Sequence, residues 1–487
     1  MELPLTYEET MKQLLGEAGF QEYRNSFREP ACRGFRLNPG KVRTDEERER
    51  VLSALPVLCS VSWSGGLGYE YEPSADLSHH PYYFSGLYYL QEPSAMAPGA
   101  LLPVTPGDRV LDLCAAPGGK STALGAALKG QGILVSNDVS ASRAKALLKN
   151  LELFGIGNAL VCSEEPERLA ACFPGWFDKI LIDAPCSGEG MFRREPSMIE
   201  SWKERGPEYY VPIQRRLLSC AVSMLKPGGL LLYSTCTFSP REDEENIRFI
   251  LSEASELEAV PIQTEHGFSR GTDETSVRLF PWKLRGEGHF AALMKKKVHV
   301  KCADTDIEPF CVSQANGLGS ELADRSAKDG REQILRKQAA SNEKFLKKFP
   351  AFAEFRDQIL LPLEKRGWYW ERDGNLYLLP LSPEKLPKIR FLRTGLFLGA
   401  MKKNRFEPSQ ALAMFLSKET FSNTVDFSSE DIRTVKYLKG ETIDTEGAAC
   451  EGADGWCLVC TDGWSLGFAK RNRGILKNKY YPGWRWQ

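Results

Sequence analysis

The sequence contains two apolar stretches that end alike, FDKILIDAPCSGEGMFRR at 177–194 and GGLLLYSTCTFS at 228–239. Each begins as a run of strand-forming residues and ends abruptly in small, polar and cysteine residues. The carboxyl ends of parallel strands line the ligand crevice of a doubly wound sheet. The two stretches therefore predict one crevice that contains the residues just past both strands, which are Asp183, Cys186, Thr235 and Cys236.

The composition indicates an ordinary globular protein of several domains. A chain of 487 residues is too long for one core. Its hydrophobic content of 42% and charged content of 26% are typical of soluble proteins. The formal net charge of −1 does not indicate nucleic-acid binding by the molecule as a whole, so any such surface must be local.

Targeting segments and metal sites are not predicted. The N-terminus MELPLTYEETM lacks the regions of a signal peptide, and no stretch has the roughly 18 apolar residues of a membrane span. The 13 cysteines follow no disulfide framework, which indicates reduced thiols and a cytoplasmic protein. Neither His79–His80 nor the Cys457–Cys460 pair has further ligands at a recognised spacing, so we expect no metal.

A strand, a glycine-rich turn and a helix follow one another from Arg109 to about Leu128, with AAPGGKST as the turn. Such a turn presents backbone N–H groups at a helix N-terminus. It does not match the phosphate-binding P-loop, whose first glycine would fall on Cys114. It does not match the dinucleotide fingerprint either, because Gly118 and Gly119 are adjacent.

The acidic residues after the next two strands indicate a nucleoside ligand without phosphates. Asp138 closes the strand at 133–138, about 20 residues past the turn, where a carboxylate can bind ribose hydroxyls. Glu164 and Glu165 follow the strand at 159–162, and either could accept from an adenine amino group. S-adenosylmethionine is a cofactor of this kind.

The order of elements predicts the domains. Strands alternate with helices up to a closing strand at 289–296, which indicates a mostly parallel α/β sheet. We expect five segments. They are an N-terminal segment at 1–90, a catalytic domain at 91–298, a linker at 299–335, an intermediate domain at 336–387 with a hairpin that turns at Asp373–Gly374, and a C-terminal domain at 388–487.

Two basic clusters are candidate RNA contacts. The C-terminal cluster contains no acidic residue and consists of Lys470, Arg471, Arg473, Lys477, Lys479 and Arg485. Interleaved Tyr480, Tyr481, Trp484 and Trp486 could stack on bases, although singly each aromatic is more typical of a core. A smaller patch at 33–43, which includes Arg36, could contact phosphate or could be a solvated face.

The residues of the predicted crevice fit methylation of carbon 5 of cytosine. That carbon becomes nucleophilic only after a thiolate adds to carbon 6 of the ring, which is covalent catalysis. A carboxylic acid at the N3 edge would offset the charge that develops, and a second thiol or base would help to remove the carbon 5 proton. Asp183, Cys186 and Cys236 supply these groups, but residue chemistry alone does not decide which cysteine attacks.

Four blocks resemble the signatures of the Sun/Fmu-type RNA cytosine-5 methyltransferases, and they occur in the family's order. They are CAAPGGK at 114–120, DAPCSGEG at 183–190, YSTCT at 233–237 and RLFP…GHFAAL at 278–293. The block GWSLGFAK at 463–470 is similar to the RsmF-type ribosomal RNA branch, which carries a PUA-like RNA-binding domain there.

The resemblance implies a class I S-adenosylmethionine-dependent methyltransferase, with a Rossmann-like, mostly parallel α/β sheet, an N-terminal α/β segment and a smaller C-terminal α+β, PUA-like domain. It implies that Cys236 is the nucleophile, that Cys186 assists product release and that Asp183 contacts the target base. The cofactor contacts that it implies are Cys114, Ala115, Ala116, Pro117, Gly118, Gly119, Lys120, Asp138, Arg143, Glu165 and Asp183.

The expected activity is therefore formation of 5-methylcytosine in 16S ribosomal RNA by a cytoplasmic monomer that binds ribosomal RNA or the small subunit. Two alternatives stay open, which are the same chemistry on transfer RNA and a non-catalytic RNA-binding factor for ribosome assembly. DNA is disfavoured as a substrate because the TCT block accompanies the PCSG block. The sequence does not identify the target cytosine.

Overall fold

The protein is described here by a computed structural model that covers residues 2–298 and 321–487, with side chains from 332 onward in the second range. The N-terminal elements are α1 (Leu5–Ser26), β1 (Gly34–Leu37), α2 (Asp45–Ser53), β2 (Val57–Ser60), β3 (Gly68–Tyr71), α3 (Pro81–Phe84), β4 (Tyr88–Leu90) and α4 (Ala97–Leu101). The strands form an antiparallel sheet in the order β2-β3-β1-β4. Helix α1 is kinked at Gly16, whose φ is +70°, and continues past Gly19.

The catalytic domain contains β5 (Arg109–Asp112), α5 (Gly119–Ala127), β6 (Ile133–Asn137), α6 (Ala141–Leu153), β7 (Ala159–Cys162), α7 (Pro166–Cys172), β8 (Phe177–Asp183), α8 (Met198–Glu204), α9 (Pro207–Met224), β9 (Leu225–Thr235), α10 (Glu244–Glu253), β10 (Leu257–Val260), β11 (Ser269–Arg270), β12 (Val277–Leu279) and β13 (His289–Lys296). Strands β9-β8-β5-β6-β7 are parallel, and β13 joins β9 in the antiparallel sense. The predicted α/β fold and the parallel core of its sheet are confirmed, whereas β10, β11 and β12 add antiparallel pairs beyond β13, so the sheet as a whole is mixed.

The apolar strands are continuous in sequence because both faces of this sheet are covered. Ile180, Leu181 and Ile182 are all fully buried, and successive residues point to opposite faces. Ile180 and Ile182 pack into the core beneath α7, α9 and α10, whereas Leu181 packs into the core beneath α4, α5 and α6. Full burial of each such side chain contributes about 1.5–3 kcal/mol.

The second described range contains α11 (Glu321–Lys348), α12 (Pro350–Arg356), β14 (Trp368–Arg372), β15 (Asn375–Leu379), β16 (Phe391–Thr394), β17 (Leu396–Lys402), β18 (Arg405–Pro408), α13 (Gln410–Phe415), β19 (Thr424–Phe427), α14 (Ile432–Lys439), β20 (Ile443–Asp444), β21 (Ala449–Cys450), β22 (Gly455–Thr461), β23 (Trp464–Asn472) and β24 (Ile475–Asn478). The predicted hairpin is present, since Arg372 pairs with Asn375 across the Asp373–Gly374 turn.

The boundaries predicted in this part need correction. The predicted linker at 299–335 lies partly outside the described residues, and its last part belongs to α11. The boundary predicted at 388 falls inside a structural unit, because the hairpin β14-β15 continues into β17 and β18 as one sheet. The C-terminal sheet, in the order β20-β24-β23-β22-β19-β21, begins only at Thr424.

Strand β16 does not belong to either C-terminal sheet. It pairs in the antiparallel sense with β7 and so extends the catalytic sheet, with Thr394 opposite Leu160. An edge strand carries unpaired backbone N–H and C=O groups, and β16 satisfies those of β7. The C-terminal half is thereby joined to the catalytic domain by main-chain hydrogen bonds.

Within the described ranges, no helix has the length and apolar character to cross a membrane.

Candidate active site

The residues after β8 and β9 meet, as the sequence predicts. Asp183 pairs with Ser234 in the parallel register, so both strands end at the same level of the sheet. The loops that follow bring the Sγ atoms of Cys186 and Cys236 to 3.3 Å from each other. The cysteines are not joined by a disulfide.

The two thiols differ in their surroundings. Cys186 is buried, with 8% of its surface exposed, whereas Cys236 is half-buried. The hydrogen bond to Cys236, and next burial, raise the pKa of the Cys186 thiol well above its usual range. Cys186 therefore keeps its proton and can donate it to the sulfur of Cys236. Cys236 is the more accessible of the two sulfurs.

Glu242 ties the two cysteine loops together, and sequence reasoning missed it. Its carboxylate accepts from the backbone N–H of Ser187 at 3.0 Å and from Nε2 of Gln214 at 2.8 Å, and it also accepts from the Ser187 hydroxyl. The Ser187 hydroxyl is in turn 2.7 Å from Oγ1 of Thr237. Burial raises the pKa of Glu242. The segment SPREDEEN at 239–246, directly after the TCT block, was the available signal.

Glu189 makes a second connection between these loops. One of its oxygens accepts from Nε1 of Trp202 at 2.9 Å, and the other accepts from the backbone N–H of Phe238 at 3.0 Å. The side chain is buried, and burial is the main cause that raises its pKa to about 7. Glu242 and Glu189 therefore connect the loop that contains Cys186 to the loop that contains Cys236.

Asp183 is a carboxylate in this site and not the carboxylic acid that the sequence analysis expected. Lys120 donates from Nζ to Oδ2 at 2.7 Å, and Ser234 donates from Oγ to Oδ1 at 2.9 Å. Burial opposes ionisation of Asp183, but Lys120 and the nearby His289 outweigh it and hold the pKa of Asp183 below its usual range. Asp183 also raises the pKa of Lys120, against the effect of burial, so the proton of this pair lies on Lys120.

His289 lies beside the same carboxylate, with Nε2 3.5 Å from Oδ1 of Asp183. Its side chain is buried, and neither ring nitrogen has a hydrogen-bond partner in the described part of the chain. The residue stands in the GHFAAL block, at the first position of β13. The resemblance had drawn attention to the block but not to this residue.

The predicted cofactor loop, Cys114–Lys120, connects β5 to α5 at the same edge of the sheet. Gly118 precedes α5 with φ of +117°, a conformation that favours glycine. The backbone N–H of Ala116 donates to Oδ2 of Asp138 at 3.3 Å, and Arg143 donates to the carbonyl of Ala116 at 2.8 Å. Arg143 also lies 3.4 Å from the Asp138 carboxylate. Asp138 and Arg143 therefore hold the loop in place.

The charge around this loop suits a cationic ligand. Burial raises the pKa of the Cys114 thiol well above its usual range, and the carboxylates of Asp112, Asp183 and Asp138 raise it further. Oδ1 of Asp112 is buried and lacks a hydrogen-bond partner among the described residues. S-adenosylmethionine carries a sulfonium and an ammonium group, so this donor set fits that cofactor.

The described residues contain no group of three or more His, Cys, Asp or Glu side chains that could hold a metal ion.

The two glutamates after β7 have different surroundings. Glu164 is buried, and its carboxylate accepts from the backbone N–H of Arg390 at 2.7 Å. Glu165 has 67% of its side chain exposed and forms an ion pair with Arg216 at 2.8 Å. Glu164 is therefore engaged by the C-terminal half, and Glu165 is the glutamate with an accessible carboxylate. Its contact with adenine stays a prediction.

Arg36 is not available to RNA, and that prediction is wrong. Its side chain is buried, with 3% of its surface exposed. It donates to Oε1 of Gln91 at 3.2 Å, to the carbonyl of Gly119 at 2.9 Å and to Oγ1 of Thr122 at 2.7 Å. The guanidinium therefore joins the N-terminal sheet to the first turn of α5, next to the cofactor loop.

The C-terminal basic cluster divides into buried and exposed members. Arg471 is buried and donates to the carbonyl of Gly452, so this residue is a structural one. Lys470 and Lys477 are exposed and lie opposite each other on β23 and β24. Arg473 and Lys479 are also exposed.

Most of the interleaved aromatic residues belong to the core. Tyr480 and Trp484 are buried, and Trp486 stacks on Phe84 with ring centroids 5.0 Å apart. Tyr481 is 53% exposed. Stacking on bases by the aromatics as a group is therefore not supported.

Comparison with known proteins gives one consistent family. A model described as "16S rRNA methyltransferase RsmB/F" matches residues 99–295. Models for the N-terminal domain, the first C-terminal domain and the PUA domain of RsmF match residues 3–93, 354–416 and 422–486.

Individual relatives agree over nearly the whole chain. Proteins named ribosomal RNA small subunit methyltransferase F share 28% identity in Vibrio atlanticus, over 93% of this chain and 91% of that protein, and 28% in Erwinia tasmaniensis, over 98% and 95%. A solved methyltransferase homologue from Pyrococcus horikoshii has 29% identity and a TM-score of 0.52, over 60% of this chain and 94% of its own. The structure of NSun6 from the same organism, at 21% identity and a TM-score of 0.53, shows the fold alone. It covers 61% of this chain and 99% of that one.

Proposed function

We propose, because this chain belongs to the RsmB/F family of methyltransferases, that it methylates carbon 5 of cytosine in 16S ribosomal RNA. The observation that carries the proposal is the pair of thiols, Cys186 and Cys236, 3.3 Å apart beside the ion pair of Lys120 and Asp183. Methyl transfer to an oxygen or an exocyclic amine, which needs no covalent adduct with the enzyme, would not need two thiols.

The cofactor in this proposal is S-adenosylmethionine, which supplies an electrophilic methyl group when bound. The loop Cys114–Lys120 would hold it, with Asp138 at the ribose and Glu165 at the adenine. Asp112, whose Oδ1 lacks a partner among the described residues, would supply an acidic group near a cationic cofactor. Arg143 keeps the loop and Asp138 in register through its bonds to both.

Cys236 attacks in this mechanism. Its sulfur is the more accessible one, and the proton held by Cys186 can stabilise it as a thiolate by a hydrogen bond. Addition to carbon 6 forms a carbon–sulfur bond and moves negative charge into the ring. The Lys120 ammonium, held by Asp183, neutralises that charge, and carbon 5 then accepts the methyl group.

Cys186 serves in release. The first cause of its raised pKa is the hydrogen bond to Cys236. Once the Cys236 sulfur is bonded to carbon it carries no charge, so this cause is lost and the pKa of Cys186 falls. Burial still favours the thiol form of Cys186, so its proton must first pass to solvent, and the resulting thiolate can then accept the proton of carbon 5. The electron pair of the broken carbon–hydrogen bond re-forms the double bond between carbons 5 and 6, the carbon–sulfur bond breaks, and Cys236 leaves as a thiolate.

In this proposal the PUA domain supplies RNA contacts outside the active site. Lys470, Arg473, Lys477 and Lys479 are exposed there and could bind phosphates. We place the protein in the cytoplasm as a monomer, acting on ribosomal RNA or the small subunit.

Bisulfite sequencing of RNA from cells with and without the active protein tests the function. We expect a protected cytosine in 16S ribosomal RNA that disappears with the protein and returns with the wild-type gene but not with Cys236→Ala. A protected cytosine in transfer RNA alone would contradict the ribosomal substrate and support the same chemistry on transfer RNA. An unchanged pattern in all RNA, together with RNA binding in vitro, would instead support a non-catalytic binding factor.

A further inference from the structure

A cleft of about 550 Å³ lies at the edge of the catalytic sheet opposite the active site. Its walls include the end of α5 and the loops before β6 and β7, at 125–130 and 154–158. These loops precede parallel strands, whereas the active site follows them. Because β6 is five residues long, the two sites are separated by at least about 15 Å.

All four parts of the chain contribute to this cleft. The N-terminal segment contributes Lys41, Arg43 and Arg50, the catalytic domain contributes Lys129, and the C-terminal units contribute Arg366 and Trp464. The N-terminal segment and the PUA domain contact each other at the cleft. Nε1 of Trp464 donates to the carbonyl of Lys41 at 3.1 Å, and the guanidinium of Arg50 lies 4.1 Å from the Trp464 ring centroid.

The cleft concentrates positive charge that is not neutralised within the described chain. None of Lys41, Arg43, Arg50, Lys129 and Arg366 forms an ion pair with a described carboxylate. Arg366 reaches the catalytic domain, because its Nη1 lies 3.8 Å from the position that a Cβ atom on Gly130 would occupy. The lining also includes Glu47, Glu419 and Asp462, of which Glu47 caps α2 and Asp462 accepts from Tyr82.

The cations of the cleft repel one another. Burial, and next the charge of Arg43, lower the pKa of Lys41 to about 7. Burial and then Arg43 also lower the pKa of Arg366. The charges of two separate segments, Lys41–Arg43 and Arg366, therefore act on each other, and an anion in the cleft would relieve the repulsion.

We propose that this cleft binds the sugar–phosphate backbone of the RNA, at a point remote from the cytosine that is modified. The proposal rests on the proposed function for the identity of the RNA. Phosphate contacts are favoured over base stacking because, of the aromatic residues at the cleft, Phe154 and Trp464 are buried and the ring centroid of half-buried Phe415 already lies 5.8 Å from the guanidinium of Arg366. Exposed Arg43, Lys129 and Arg366 are free to reach an RNA strand.

The contact would position the substrate and leave the chemistry unchanged. An RNA that reaches both edges of the sheet gains affinity from phosphates that lie far from the reacting base. Loss of the cleft cations should therefore raise the KM for RNA and leave kcat unaltered. The affinity for S-adenosylmethionine should not change either.

The test compares the double variant Arg43→Glu/Arg366→Glu with the control Lys295→Glu/Lys297→Glu. Both control lysines are exposed and lie at or just past the end of β13, near the same edge of the sheet. Strand β13 is separated from β6 by β9, β8 and β5, which is about 19 Å. Both variants change the charge equally, and Arg43→Lys/Arg366→Lys retains it.

Binding of a 16S ribosomal RNA transcript is measured at several salt concentrations, together with methylation by the wild type. The cleft variant should bind at least about tenfold more weakly, with a salt slope smaller by about 1.4, and the two other variants should bind as the wild type does. Cofactor binding and circular dichroism verify that each variant is folded.

If the wild type methylates the RNA and the cleft variant has unchanged affinity and salt slope, RNA binding by the cleft is overturned and the proposed function stays intact. Weaker binding to small subunits but not to naked RNA would overturn RNA as the occupant and indicate a ribosomal protein. If the wild type neither binds nor methylates RNA, both proposals fail.

Discussion

The sulfur of Cys186 lies 3.3 Å from the sulfur of Cys236, and the hydrogen bond between them is the largest of the effects that raise the pKa of Cys186. The two thiols therefore act as one unit. When one sulfur is consumed in a bond to carbon, the acidity of the other changes. This coupling allows one residue to attack and the other to accept a proton later in the same turnover.

The ion pair of Lys120 and Asp183 should supply transition-state stabilisation. Asp183→Asn removes the charge that holds Lys120 in place, and we expect kcat to fall at least about 100-fold. Ser234→Ala is the matched control, because it removes only a neutral hydrogen bond at 2.9 Å to the same carboxylate. Its kcat should fall less than about tenfold. Single-turnover methylation measures both, and equal losses would contradict a role for the charge.

Buried Glu189 should make stability depend on pH. Its pKa is about 7 in the folded protein, above the unfolded value of about 4.3. The unfolded chain therefore loses its proton first as the pH rises. The stability from this group is complete below the unfolded pKa, falls between about pH 4.3 and 7, and changes by on the order of 3 kcal/mol.

Glu189→Gln removes this proton exchange. The wild type should lose more stability than Glu189→Gln between pH 5 and pH 8, whatever the difference between them at pH 5. Thermal unfolding at a series of pH values measures the two slopes. Parallel curves for both proteins would show that Glu189 is already ionised in the folded state.

Arg36 should act on stability and not on RNA affinity. Arg36→Ala removes hydrogen bonds to Gln91, Gly119 and Thr122 from a buried site, at a cost of about 2 kcal/mol or more. Arg33→Ala, at an exposed position nearby, should change stability by less than about 0.5 kcal/mol. Thermal unfolding and RNA binding are measured on the same samples. Unchanged stability with a loss of RNA affinity in Arg36→Ala would restore Arg36 as an RNA contact.

The sequence was sufficient for the features that depend on neighbouring parallel strands. The meeting of Asp183, Cys186 and Cys236 follows from two adjacent strands that end at the same level, and each strand shows its end by a change from apolar to small residues. The hairpin at Asp373–Gly374 was equally predictable, because its turn is specified by local residues.

Features that depend on distant packing were not predictable. Arg36 follows a basic residue at Arg33 and Glu242 stands in an acidic run, and the burial of both depends on elements more than 20 residues away. Strand β16 reads as an ordinary short strand, and only the free edge of β7 determines that it joins the catalytic sheet. The ionised state of Asp183 depends on Lys120, which is 63 positions away.

The roles of the two cysteines are tested most directly by trapping the covalent adduct. Wild type, Cys186→Ala and Cys236→Ala are each incubated with 16S ribosomal RNA and S-adenosylmethionine and resolved on a denaturing gel. Cys186→Ala should accumulate a slowly migrating protein–RNA adduct, because attack proceeds and release fails, whereas Cys236→Ala should form none and transfer no methyl group. An adduct from Cys236→Ala and none from Cys186→Ala would contradict the assignment and make Cys186 the nucleophile.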